Sequence, residues 1–167
     1  VDELDMHGKP VRNDGPSGIG GWLILPLIGL IGTLVLTGVN LVMGLQEITP
    51  DLLREVMAAE TPEMEKVRLA FLLSLLGGFT IIGTASSALY QFLRKRRSLP
   101  GAMVVHYLAA IAALGCEVYA ANLLDSLMPG AGEVSEAWKW MIRGVIGGAL
   151  WIAYFRMSVR VKNTFVT

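Results

Sequence analysis

The chain has 167 residues, of which 53% are apolar or aromatic and only 17% charged, against about 25% charged in a soluble domain. Its 14 basic and 14 acidic residues balance to zero, which removes the basic footprint of a non-specific nucleic-acid binder. Charge-free runs at 16–46 and 69–93 are longer than the roughly 18 residues at which an apolar helix reads as a membrane span. A soluble enzyme, a disordered chain and a secreted disulfide scaffold are therefore excluded, and the length suits one domain.

In chain order, residues 1–18 form a leader carrying Asp2, Glu3, Asp5, His7 and Asp14. The first span follows at about 20–45. It is too long for the core of a signal peptide, and its leader is acidic rather than basic, so it reads as an uncleaved span. The connection 47–68 holds two similar starts, Thr49-Pro50-Asp51 and Thr61-Pro62-Glu63. Each offers an N-cap, a proline at the first helical position and an acid in the first turn. The first start opens a short amphipathic segment with Leu52, Leu53, Val56 and Met57 on one face. It reads either as a helix lying on the membrane surface or as a docking surface for another protein. The second starts a helix about two turns before the second span, at about 69–93.

A basic loop, Arg94-Lys95-Arg96-Arg97, leads to the third span at about 102–127, which contains Cys116, Glu117, Asn122 and Asp125. Cys116 has no internal disulfide partner and reads as a small buried hydrophobe. The fourth span, at about 138–158, contains Lys139 and Arg143, and a basic tail at 159–167 carries Arg160 and Lys162. Only helices satisfy their backbone internally in lipid, and no run alternates as a barrel strand would. The expected fold is an all-α integral membrane protein, four transmembrane helices in an up-down-up-down bundle. Gly144 and Gly148 form a small-xxx-small pair suited to a close helix contact.

Lys and Arg concentrate in the 94–97 loop and the tail, whereas the 47–68 and 125–136 connections are mainly acidic. The positive-inside rule then places both termini and the basic loop in the cytoplasm. Arg94, Lys95, Arg96, Arg97, Arg160 and Lys162 become candidate contacts for anionic lipid.

The ending Trp151, Tyr154-Phe155, Ser158-x-Arg160-Val161-Lys162-x-Thr164-Phe165 resembles that of a bacterial family of small four-span membrane proteins, catalogued only as a domain of unknown function. Members also begin with a Gly-Trp-Leu like Gly21-Trp22-Leu23 and carry a basic loop after the second span. The resemblance covers roughly residues 18–166. It implies the same topology and an inner-membrane location, and it brings no activity with it.

Function is to be sought where a polar group resists the bilayer, since an ionisable residue at mid-span costs about 2.5–3.5 kcal/mol. On the third span His106, Ala110, Ala113, Glu117, Ala120, Ala121 and Leu124 share one helical stripe. Counting outward from the turn near Gly130, Glu117 and Arg143 lie at equal depth, and Asn40 on the first span lies at a similar one. The expectation is an intramembrane polar pair of Glu117 and Arg143, with Asn40 as a third member. It reads as structural glue fixing register, or as a binding or proton-exchange site in a transport path. His106, near the cytoplasmic boundary, reads as a wet interfacial histidine, with a proton relay as the sharper alternative.

Metal-ligand spacing, a phosphate-cradling loop and a nucleophile with its base are all missing from the sequence. Neither catalysis nor a cofactor is expected. The leading expectation is a non-catalytic accessory or scaffold subunit of a bacterial inner-membrane complex, partnered by lipids and by other membrane proteins or a second copy. The alternative is a small oligomeric transporter or channel.

Overall fold

The computed structural model describes residues 17–46, 48–58, 60–130 and 133–166, without the side chains of Leu52 and Glu55. The expected leader therefore lies almost wholly outside the described residues. A 3-10 turn, Gly21–Leu23, runs into helix α1, Ile24–Gln46. It is followed by α2 (Pro50–Ala58), α3 (Pro62–Leu93), α4 (Leu99–Asp125), α5 (Val134–Met157) and α6 (Val159–Thr164). Among the described residues every regular element is helical.

Three stretches, Gly21–Gln46, Pro62–Leu93 and Leu99–Asp125, are long and apolar enough to cross a membrane. Large apolar side chains point outward along them, with Leu36 at 67% and Leu76 at 65% exposure. Soluble monomers do not leave so much contiguous apolar surface uncovered, so this is a membrane protein. α5 has the length but falls outside that set, because Lys139, Arg143 and its tryptophans dilute its apolarity.

The helix ends follow local chemistry. Thr61 caps α3 by accepting a hydrogen bond from Met64 N at 3.3 Å, with Pro62 at the first position and Glu63 and Glu65 in the first turn. Those acids oppose the positive end of the helix dipole. At the other end the chain turns through Lys95 at φ 50, and Arg96 N donates to Gln91 O at 3.0 Å, the bond that closes a Schellman-type stop. α2 leans on the first turns of α3, with Val56 9% exposed and an apolar crevice against Val67 and Phe71. Asp125 ends α4 by accepting from Gly130 N at 2.7 Å.

Helix packing runs α1 on α3, α3 on α4 and α4 on α5. The α3–α4 register is antiparallel and regular. Thr84 meets His106, Gly77 meets Ala113 and Ser74 meets Glu117. Each step down α3 is matched by an equal or nearly equal step up α4. On α5 a Cβ at Gly144 would overlap Leu114 Cδ1, and one at Gly148 would sit 3.0 Å from Ile111 Cδ1. Both members of the small-xxx-small pair thus admit α4 side chains.

The main apolar core lies at the basic end of the bundle. Leu23, Leu30, Phe92, Leu99, Met103, Phe155, Val161 and Phe165 are each no more than 4% exposed and form one cluster. α6 folds back into it. Ser158 caps α6 through Val161 N at 3.4 Å, Phe165 meets Phe92 edge-on at 5.3 Å, and Arg97 Nε donates to Val166 O at 2.6 Å. Truncating a buried phenylalanine costs about 3–5 kcal/mol. Phe165→Ala should lower the unfolding midpoint in detergent by an amount of that order, whereas exposed Met157→Ala should leave it nearly unchanged; circular dichroism melts check this.

Candidate functional site

The polar groups within the helices fall into two neighbouring sites on α4. The first surrounds Glu117. Ser74 Oγ on α3 donates to Glu117 Oε2 at 3.2 Å. Asn40, Thr37, Ser74 and Glu117 line one cavity of about 260 Å³, floored by Gly77, Gly78 and Ala113. A second cavity, toward the acidic end, joins Glu117 to Glu133, Glu136 and Trp140. Glu117 and Asn40 are exposed on the helix surface.

The expected Glu117–Arg143 pair is not formed. Among the described residues the ion pairs are Arg54–Asp51 and Lys139–Glu136. Arg143 instead lies over the ring of Trp140, 5.2 Å from its centroid, a cation–π placement. The reason is angular. Glu117 shares the α4 face that meets α3, whereas α5 packs on Tyr107, Ile111 and Leu114, about 100° further round the helix. Depth counting sets height along a hairpin but not direction. Arg143, one residue before Gly144, is likewise turned away from the α4 contact. Asn40 and Glu117 do share a cavity.

The second site centres on His106, which is only 4% exposed. The Thr84 hydroxyl lies 3.1 Å from His106 Nδ1 and 2.8 Å from Thr80 O. A hydroxyl has one proton, and the carbonyl can only accept it. On the shorter contact the hydroxyl proton is assigned to Thr80 O; in that tautomer Nδ1–H donates to Thr84 and Nε2 of the neutral ring is a bare acceptor. His106 is thus packed between helices rather than exposed to water as expected. It lines a cleft of about 330 Å³ between α1 and α5, backed by α4. The lining also includes Thr33, Thr37, Tyr107, Gly144, Gly147, Gly148 and Trp151. The sequence offered a signal for this site in Thr33, Thr37 and His106, but nothing in it said that α1 and α5 stand apart.

The basic residues divide. Arg94, Lys95, Arg96 and Arg97 are exposed at the end of α3, and Arg94 and Arg96 both lie over the Tyr90 ring. Lys162 is exposed, but Arg160 is half-buried, its guanidinium laid along Gly20 and Gly21. Arg97 is engaged by Val166 O. At the acidic end, a hydrogen bond from Lys139 and then its charge hold the Glu136 carboxyl below the ordinary carboxylate value. No group of three or more His, Cys, Asp or Glu able to hold a metal occurs among the described residues.

The basic-end core draws Leu23 from before α1 and Phe155, Val161 and Phe165 from the end of α5 and the α6 segment. A family model described as "Protein of unknown function (DUF2569)" matches residues 16–166. The chain belongs to this family. No curated protein and no solved structure matches it. In this DUF2569 member the matched stretch takes in both polar sites and every described helix.

A double-mutant cycle separates the two pairings of Glu117. Hydrogen bonds between membrane helices couple by about 0.6 kcal/mol on average. Glu117→Gln with Ser74→Ala should show coupling of that order, and Glu117→Gln with Arg143→Leu should show none; unfolding free energies in mixed micelles give both values.

Proposed function

We propose that the protein is a non-catalytic accessory or scaffold subunit of a bacterial inner-membrane complex. One observation supports this reading above the rest. Glu117, Asn40 and Arg143 are all exposed within the helices, and no ion pair joins Glu117 to Arg143. Glu117 has a Ser74 hydroxyl, and Arg143 has the Trp140 ring and the more distant charge of Glu136. An ionisable group left at mid-bilayer costs about 2.5–3.5 kcal/mol. A neighbouring membrane protein, or a second copy, that brings polar groups to these positions removes that cost. The partner supplies what the isolated chain lacks.

In this reading α5 is the fourth span, with Lys139 reaching toward headgroups and Trp138 and Trp140 at the interface. Both termini and the Arg94–Arg97 loop are cytoplasmic, and that loop meets anionic lipid. A cysteine placed at Ser98 should react with a membrane-impermeant maleimide only after permeabilisation, and one at Ala58 should react in intact cells. The opposite pattern, or labelling of both from outside, rejects the orientation.

A second reading, a small oligomeric transporter or channel, draws on one specific feature. The Glu117 cavity and the His106 cleft share Thr37, Ile81 and Leu114 as walls, so polar groups follow one another along α4. Four helices would have to oligomerise to enclose such a path.

Purification in mild detergent followed by mass spectrometry distinguishes the two. The scaffold reading expects a stoichiometric membrane partner that is lost from Glu117→Gln and Arg143→Leu variants whose melting midpoints are preserved. A single-component oligomer that conducts ions in liposomes, and stops doing so in Glu117→Gln, would replace it with the transport reading.

A further inference from the structure

The cleft between α1 and α5 has the form of a ligand site, and its chemistry specifies the ligand. Its α1 wall runs from Leu25 to Thr37, about 18 Å at 1.5 Å per residue. Its volume of about 330 Å³ stands at the low end of the roughly 300–1,000 Å³ of small-molecule sites. That favours one chain over a two-chain lipid. A Cβ added at Gly29 or Gly147 would meet nothing within 4 Å, so the space is open at both walls.

Polarity is sparse. His106, almost fully buried, spends Nδ1 on Thr84, and Nε2 has no partner among the described residues. Thr33 and Thr37, one turn apart on α1, have no described hydrogen-bond partner for their hydroxyls. His106 is buried and the two threonines are half-buried, and all three line the same largely apolar slot together with Tyr107 and Trp151. No Lys, Arg, Asp or Glu lines the cleft, so an ionised headgroup would lie uncompensated in a low-dielectric site. A neutral hydroxyl fits instead. It donates to the bare Nε2 and accepts from a threonine.

We propose that the α1–α5 cleft binds a single-chain lipid alcohol, with its hydroxyl donated to His106 Nε2 and its chain lying along Gly29 and Gly147. The site is independent of the subunit reading above, since it involves neither Glu117 nor Arg143.

The test uses the full chain in phosphatidylcholine nanodiscs. A diazirine-bearing dodecanol is photocrosslinked and mapped by peptide mass spectrometry, with unlabelled dodecan-1-ol or dodecyl methyl ether as competitor. The ether keeps the chain and loses the donor. Labelling is expected on α1 and α5 peptides, with the alcohol competing at about three- to tenfold lower concentration than the ether, as one net hydrogen bond implies. Thr37→Val, which keeps the shape of α1, should narrow that gap. His106→Leu should erase it while labelling persists. Gly147→Leu should abolish labelling by filling the cleft. Should His106→Leu fail to fold, the alcohol-to-ether ratio in the unaltered protein and in Thr37→Val decides. Equal competition by alcohol and ether in the unaltered protein overturns the proposal. So does labelling that Gly147→Leu leaves intact, since the chain would then lie elsewhere.

Discussion

The fold depends on one burial event at its basic end, where the edge-on contact of Phe92 and Phe165 closes a cluster that also takes in Leu23, Leu99, Met103, Phe155 and Val161. Inside a bilayer, helices gain little from hiding leucine from lipid, because lipid is equally apolar. At the end of the bundle the situation changes. There water is the alternative environment, and burial regains its usual strength of about 25 cal/mol per Å². The 3-10 turn before α1, the α3–α4 turn and α6 are therefore held by the hydrophobic effect, and the long helices are aligned from that anchored end.

Away from the anchor, close approach and isolated hydrogen bonds take over. α4 is the axis of this region. One face meets α3 through Ala113 against Gly77, with Thr84–His106 and Ser74–Glu117 as polar rungs. The adjacent face meets α5, whose Gly144 and Gly148 receive Leu114 and Ile111. Because α4 holds its two neighbours on different faces, α1 packs on α3 and leaves α5 at a distance. The cleft and the outward-facing polar groups both follow from that open arrangement. A fully closed bundle would have buried Asn40 and Glu117 together and removed the space beside His106.

Much of this was legible in the sequence, and the losses have physical causes. Membrane character followed from uncharged length alone. Thr61-Pro62-Glu63 announced the start of α3, because capping is local chemistry. The stripe from His106 to Ala121 correctly marked one packed face of α4, since periodicity reports direction around a helix. It could not name the partner, and α3 rather than α5 took it. The Glu117–Arg143 expectation used depth alone and so missed the turn between the two faces. His106 was placed by distance from the span boundary, which carries no information about how far the bundle's core extends. The tail showed itself as a basic run and as the ending of a family pattern, neither of which says where it packs. Its folding back depends on Val161 and Phe165 finding Phe92, a contact distant in sequence and invisible to any local pattern.

The distance between those partners has a consequence for how the molecule is made. Leu23 precedes the first long helix and Val161 follows the last, yet both are fully buried in the same cluster. Contacts so remote along the chain are slow to form, because the cost of closing the loop comes before the contact offsets it. The long helices satisfy their own backbones, whereas the cover over Leu23, Phe92 and Phe155 is complete only with α6 in place. A variant without α6 would leave Leu23, Phe92 and Phe155 uncovered at that end, so one short helix decides whether the whole basic end is sealed.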